Sequence, residues 1–221
     1  MSKIKFIAII VTVAALCNVS CEQPRDKKGK AVDTPTTGEI TIMVDEGYQP
    51  VIASCIDVFD SIYKLSKINA IYTSEGDATS ALFKDSVQVI IISRQLTGEE
   101  MKYFESRGFK PKITPIAYDG IAFILNPANK DTVFTQDQIK DILRGKITKW
   151  TQVNPKSPFT DIQLVFDHPL SGTVRYVKDS ILAGEALSPI ATAMKINTEV
   201  IDYVSKHKGA IGIIGANWIS D

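Results

Sequence analysis

Ile162-Gln163-Leu164-Val165-Phe166-Asp167-His168-Pro169-Leu170-Ser171-Gly172-Thr173-Val174-Arg175 is the stretch whose reading decides the fold. The run Ile162–Phe166 predicts a buried strand, and Val174, Val177, Ile181 and Leu182 then recur at helical spacing. Between them lies a small, hydroxyl-bearing turn. At the start of a helix such a turn presents unpaired backbone N–H groups and the positive end of the dipole, which makes a seat for an anion. Ser171 and Thr173 add hydroxyl donors, and Gly172 lets an oxyanion come close to the backbone. A simpler reading is that Ser171 is only the helix N-cap.

Working outward, strand and helix signals alternate. Residues 39–44 predict a strand and 49–65 a helix, with Val51, Ile52, Cys55, Val58, Phe59 and Ile62 on one face. A second strand is expected at 68–73, a short helix around 77–84, and a central parallel strand, buried on both faces, at 87–93. Thr97-Gly98-Glu99-Glu100 opens a helix that runs to about Arg107. This order implies a parallel, three-layer α/β unit. Residues 113–126 differ: two apolar strands meet at Asp119-Gly120 with no helix between them, as in a strand crossing between lobes. A second α/β unit follows, with helices near 136–143, after Thr173 and near 198–206, and strands at 162–166 and 210–214.

The expected organisation is a targeting segment at 1–21, a flexible tether at 22–38, a first lobe at 39–118 and a second at 119–221. Lys3 and Lys5 precede the apolar run Phe6–Cys17, which falls short of the ~20 residues that a membrane-spanning helix needs. Val19-Ser20-Cys21 resembles a bacterial lipobox, with Cys21 lipidated; Asn18 stands where that pattern prefers Leu, so a plain secretory signal is the alternative. The tether is polar and aperiodic, and its basic residues have no interleaved aromatic to stack a base. With Cys17 and Cys21 so assigned, only Cys55 remains. No intramolecular disulfide is then expected, and Cys55 reads as a small buried hydrophobe. The sequence carries 25 basic and 25 acidic residues, a balance that argues against bulk nucleic-acid binding.

In α/β units ligands gather at the carboxyl ends of strands. Three loops there carry polar residues, Asp45-Glu46-Gly47-Tyr48, Ser74-Glu75-Gly76-Asp77 and Ser93-Arg94, and Ser171–Thr173 makes a fourth.

With these loops in view, the chain resembles the phosphate-binding proteins of bacterial phosphate ABC importers, members of the type II solute-binding superfamily. The likeness rests on the segment Ile40–Phe59, on Ser93-Arg94-Gln95-Leu96 with Glu99-Glu100, on Gly145-Lys146-Ile147-Thr148-Lys149-Trp150, and on Ser171-Gly172-Thr173 followed by Gly209-Ala210-Ile211-Gly212-Ile213-Ile214-Gly215. It implies a two-lobed clamshell that binds inorganic phosphate, or a close oxyanion, for an ABC permease. Its anion contacts carry over to Gly47, Tyr48, Ser74, position 94 and Ser171-Gly172-Thr173, with Ser93 beside them. The family's usual pattern has an acid at the position of Arg94 and an arginine at that of Asp167. This exchange implies that Arg94 clamps the anion as its main cation, while Asp167 across the cleft orients Arg94 or accepts a phosphate O–H. Arg175, one turn beyond the seat, also comes within reach. The resemblance further implies a C-terminal segment returning to the first lobe, and this sequence stops just after the Gly-Ala-Ile-Gly strand.

An enzyme is not expected. His168 adjoins Ser171, but no Gly-x-Ser-x-Gly elbow accompanies it, and His207 reads as a helix C-terminal cap. No cluster has metal-ligand spacing, the phosphate-loop signature is absent, and no cofactor is implied. The alternatives are the same fold with another small ligand, or a sensor or interaction module outside transport.

Overall fold

The computed structural model describes residues 32–219. The readings of residues 1–21 as a signal and of Cys21 as a lipid site lie outside the described residues. Lobe 1 is built on a parallel three-stranded sheet in the order β2-β1-β3, formed by β1 (Thr37–Asp45), β2 (Leu65–Thr73) and β3 (Ile90–Ile91). Helices α1 (Gln49–Ile62), α2 (Glu75–Phe83) and α3 (Gly98–Ser106) follow the three strands in turn. Ser74 caps α2 and Thr97 caps α3, each accepting a backbone N–H from the first turn.

Lobe 2 is a four-stranded sheet in the order β4-β7-β5-β6. β4 (Ile121–Leu125) runs antiparallel to β7 (Ala210–Gly215), while β5 (Gln163–Phe166) runs parallel to β7 and to β6 (Thr192–Ala193). Its helices are α4 (Gln136–Arg144), α5 (Trp150–Val153), α6 (Gly172–Tyr176) and α7 (Asn197–Lys206), and α6 runs on into a π-helical turn, Val177–Ile181. Trp150, Phe166, Leu143, Leu164 and Ile213 fill the core. The Gly-Lys-Ile-Thr-Lys-Trp segment serves this packing. Gly145 ends α4 in the left-handed region at φ +78°, and the fully buried Trp150 donates its indole N–H to Gly209 O at 3.0 Å, which fixes the entry of β7.

Four expectations need correction. The central strand of lobe 1 is β1, not the 87–93 run: only Ile90–Ile91 pair, and they do so at the sheet edge because β1 already takes β2 on its other side. Residues 113–118 form no strand among the described residues, and Ile116 and Tyr118 face solvent with no neighbouring strand to pair with. Cys55 is exposed. α1 rests on the sheet through Ile52 and Ile56, a narrower stripe than the sequence suggests, and this turns Cys55, Val51, Val58 and Ile62 outward. Finally, β1 begins at Thr37, inside the segment read as tether, where Thr34 and Thr37 form a bridge. Among the described residues no helix is long and apolar enough to cross a membrane.

Candidate functional site at the inter-lobe cleft

Strand register delivers the cleft residues. Asp45 at the end of β1 pairs with Thr73 at the end of β2, so Glu46 and Ser74 leave the sheet together. Ser93 follows β3, and Asp167 follows β5. All are at carboxyl ends of parallel strands, where an α/β layer opens.

The wall from lobe 2 is rich in donors. Ser171 caps α6: its Oγ accepts Val174 N–H at 3.2 Å and donates to Asp167 Oδ1 at 2.5 Å. Thr173 also bonds to Asp167. Beyond the cap stand Gly172 N–H, the Arg175 guanidinium and Asn197, the first residue of α7.

The wall from lobe 1 is acidic, and its carboxylates reach across. Asp45 Oδ2 accepts Gly172 N–H at 3.0 Å, while Oδ1 accepts Gly47 N–H at 3.2 Å. Glu46 Oε2 takes the Asn197 side-chain amide at 2.6 Å. Glu75 Oε1 takes Arg175 Nε at 2.6 Å, and its Oε2 takes the N–H and hydroxyl of Ser93 at 3.0 and 2.5 Å. Arg175 Nη2 donates in turn to Ser93 Oγ at 2.6 Å, and Tyr48 is hydrogen-bonded to the same residue. Two further bonds tie the lobes: Gly76 N–H to Leu170 O at 3.1 Å and the Trp218 indole to Gly47 O at 3.0 Å. Gly172 must be glycine, because a Cβ there would stand 2.6 Å from Asp45 Oδ2.

Crowding carboxylates away from water raises their affinity for protons. Burial pushes Asp45 up to about 6 and Asp167 up to about 7, and in both the neighbouring acids add to the effect. Burial raises Glu46 as well, against the pull of Asn197. Burial also raises the Tyr48 phenol, so it stays protonated as a donor. A cavity of about 190 Å³ opens beside this network, lined by Asp45, Glu46, Ser74, Asp167, His168 and Ser171 among others. A larger recess, about 500 Å³, lies under β4 in lobe 2 between Phe123 and Phe134. There Asn126 and Asn129 already serve backbone groups, so it offers no comparable donors.

The structure brings together Gly47, Tyr48, Ser74, Ser93, Asp167, Ser171, Gly172, Thr173 and Arg175. It does not join Arg94 to Asp167. Both Arg94 terminal nitrogens are held by Glu100, at 2.6 and 2.8 Å, and Nε lies 3.7 Å from Glu75. Glu100 is preorganised for this by the capping box it forms with Thr97. Its bond raises Arg94, and Arg94 holds the Glu100 carboxyl below its ordinary range. Arg175, not Arg94, is the guanidinium that crosses the cleft. Ser74 turns inward on Asp77 at 2.7 Å. His168 accepts Leu170 N–H at 3.2 Å and shapes the turn, while Ser171 bonds to Asp167. Sequence reasoning missed the roles of Asp45, Glu46, Glu75, Asn197 and Trp218. The acids stood inside the quoted loops as a signal, while Asn197 and Trp218 gave none. Among the described residues no acid, His or Cys cluster is arranged to hold a metal ion.

Residues 29–221 match a family model described as a PBP superfamily domain. The chain is 26% identical over 227 residues to the phosphate-binding protein PstS of Borreliella burgdorferi, covering 99% of this chain and 74% of that protein. To PstS of Staphylococcus epidermidis it is 26% identical over 171 residues, 76% of this chain and 52% of the relative. It thus spans about half the length of the staphylococcal protein. Among solved structures, one from Clostridium perfringens with bound phosphate superposes with a TM-score of 0.73 at 24% identity, covering 83% of this chain and 72% of that one. An ABC-type phosphate transport receptor from Vibrio cholerae gives 0.59 at 22%, covering 82% and 73%. These likenesses establish the two-lobed fold.

Proposed function

The chain belongs to the PBP superfamily, and on that premise we propose that it is an extracytoplasmic solute-binding protein that captures inorganic phosphate, or a close oxyanion, between its lobes and delivers it to an ABC permease. The observation that carries this reading is the convergence of Ser171, Gly172 N–H, Thr173, Arg175 and Ser93 at one cleft, in a chain similar to proteins named for phosphate binding. Arg175 supplies the positive charge, and its planar fork suits a phosphate edge. Ser93 and the start of α6 supply neutral donors. Asp167, raised to about 7, accepts a phosphate O–H or keeps Ser171 aimed at the ligand. Arg94 is a positioning residue that, with Glu100, steadies Glu75. Capture and release involve no covalent chemistry. The lipobox-like Val19-Ser20-Cys21 supports anchoring of the body to a membrane through Cys21.

The test is thermal unfolding with phosphate, arsenate, sulfate and a buffer blank. A ligand present at ~1,000 times its Kd adds about 4 kcal/mol, a shift of roughly 10 °C for a chain of this size. We expect that shift with phosphate and arsenate, and its reduction to about a third to two thirds in Arg175→Ala at the same phosphate concentration. A cooperative transition that none of the anions moves would overturn the proposal.

A further inference from the structure

Several donors that an anion would use in this cleft are already taken by carboxylates from lobe 1, while the Ser171 hydroxyl and Thr173 are held by Asp167 of lobe 2 itself. Gly172 N–H is held by Asp45. The Arg175 Nε and the N–H and hydroxyl of Ser93 are held by Glu75, and Asn197 is held by Glu46. The acids are built in, not surface charges that have swung over: Asp45 and Glu75 are each 3% exposed. Each also has a bond to its own lobe, Asp45 to Gly47 N–H and Glu75 to Ser93, which aims its other oxygen at lobe 2. Together they present to the start of α6 and to Arg175 a set of oxygens at 2.6 to 3.0 Å, the range an oxyanion would occupy.

We propose that Asp45 and Glu75 are internal ligands of the cleft: they stand in for the anion, hold the two lobes together in its place, and must be displaced for it to enter. The inference uses phosphate as the displacing anion and in that part rests on the function proposed above; the bridging itself does not. Displacement has somewhere to go. The 190 Å³ cavity opens directly beside Asp45 and Asp167 and gives the Asp45 carboxylate room to turn away from Gly172. Glu75 has Arg94 Nε at 3.7 Å, so a guanidinium stands ready to receive it when Arg175 turns to the anion. Arg94, already fixed on Glu100, loses nothing by this. Such a protein is closed before it binds. Its affinity is the anion's intrinsic affinity reduced by the cost of opening the internal bonds, as for any site whose competent state is a fraction of the population.

Small-angle X-ray scattering on the ligand-free protein, paired with calorimetric titration of phosphate, tests this on the wild type, Asp45→Asn, Glu75→Gln and the double variant. The expected wild type is compact, and phosphate does not change its radius of gyration. The variants expand without ligand, contract on adding phosphate, and bind it about tenfold or more tightly. The single variants serve if the double one does not fold. An expanded wild type that contracts on phosphate would overturn the inference, as would variants that bind phosphate at least tenfold more weakly, since the acids would then belong to the anion's own acceptor set. Variants that expand relative to the wild type while no form binds phosphate would leave the internal ligands standing and remove the phosphate reading instead.

Discussion

The two lobes are unequal partners. Lobe 2 closes around eleven buried apolar side chains in one cluster, with Val165, Val200 and Ile214 forming another on the far face of its sheet; the cluster of lobe 1 has three, Ile42, Val44 and Ile52, with Ala78, Val87 and Phe104 buried outside it. So small and divided a core offsets less of the chain entropy of its unit than the large cluster of lobe 2 does. Lobe 1 therefore leans on lobe 2 through Gly47, Glu46, Gly76, Asp45 and Glu75, and the cleft contacts that bear on ligand binding are also part of what keeps lobe 1 folded. The Arg175 cation and the α6 N-terminus sit on the well-packed side, and the bridging acids Asp45, Glu46 and Glu75 on the thinly packed one. Division of labour follows packing density.

The sharpest way to break this comparison is to cut each core in turn. Phe166→Ala in lobe 2 should cost about 3–5 kcal/mol and unfold the whole chain. Ile52→Ala in lobe 1 should release hydrogen-exchange protection over β1–β3 while β5 and β7 stay protected. Equal loss across both lobes in the second variant would mean that they fold as one unit. Next in size is the cleft cation. Arg175→Ala should weaken phosphate binding by about 10- to 100-fold, the loss of two bonds to a charged group, measured by calorimetry. Arg94→Ala should stay within about fivefold, because Glu100 and not the anion holds its fork.

Acidity gives a subtler test. Asp45 and Asp167 bind protons more tightly in the folded chain than their ordinary 3.8 allows, so the folded state gains protons first as pH falls. Stability should therefore rise by about 1–2 kcal/mol from pH 8 toward pH 5 and fall back as pH rises through 6 and 7. Glu100 acts with the opposite sign, but its contribution is lost only as pH falls through its lowered value, below that window. Asp167→Asn should flatten the slope in a melting series across pH. A melting temperature that rises with pH from 5 to 8 would contradict the burial of these acids. The smallest expected effect is at the tie between the last described helical turn and lobe 1. Trp218→Phe removes one bond to Gly47 O and should lower stability by about 1 kcal/mol.

Much of this was legible in the chain itself, for a physical reason. The βα units announce themselves through local signals: the Thr97 capping box, the Ser171 cap, and the apolar runs at 162–166 and 210–214. The residues of the seat could be read for the same reason, since Ser171, Gly172 and Thr173 do their work within one turn. What stayed hidden depends on pairing across long stretches of chain. The partner of Arg94 is the exception: Glu100 lies only six residues on, and the Thr97 capping box holds it where the guanidinium meets it before Asp167 of the other lobe. The edge position of β3 and the outward face of Cys55 follow from how many neighbours a sheet has, not from the residues in the strand or helix. The bond from Asn197 to Glu46 joins residues 151 positions apart, and neither has a neighbour that hints at the other.

Gly172 draws these threads to one atom. The hydrogen it carries in place of a methyl group sets the closest distance to which the two halves of the molecule can approach, with Asp45, Ser93 and Glu75 all facing that point. The residue works as a spacer of minimum thickness. Alanine, then serine, then valine at this position would be shims of increasing gauge, each holding the start of α6 further from Asp45 and Ser93, so that the gap between the lobes becomes a quantity one could dial by a single side chain.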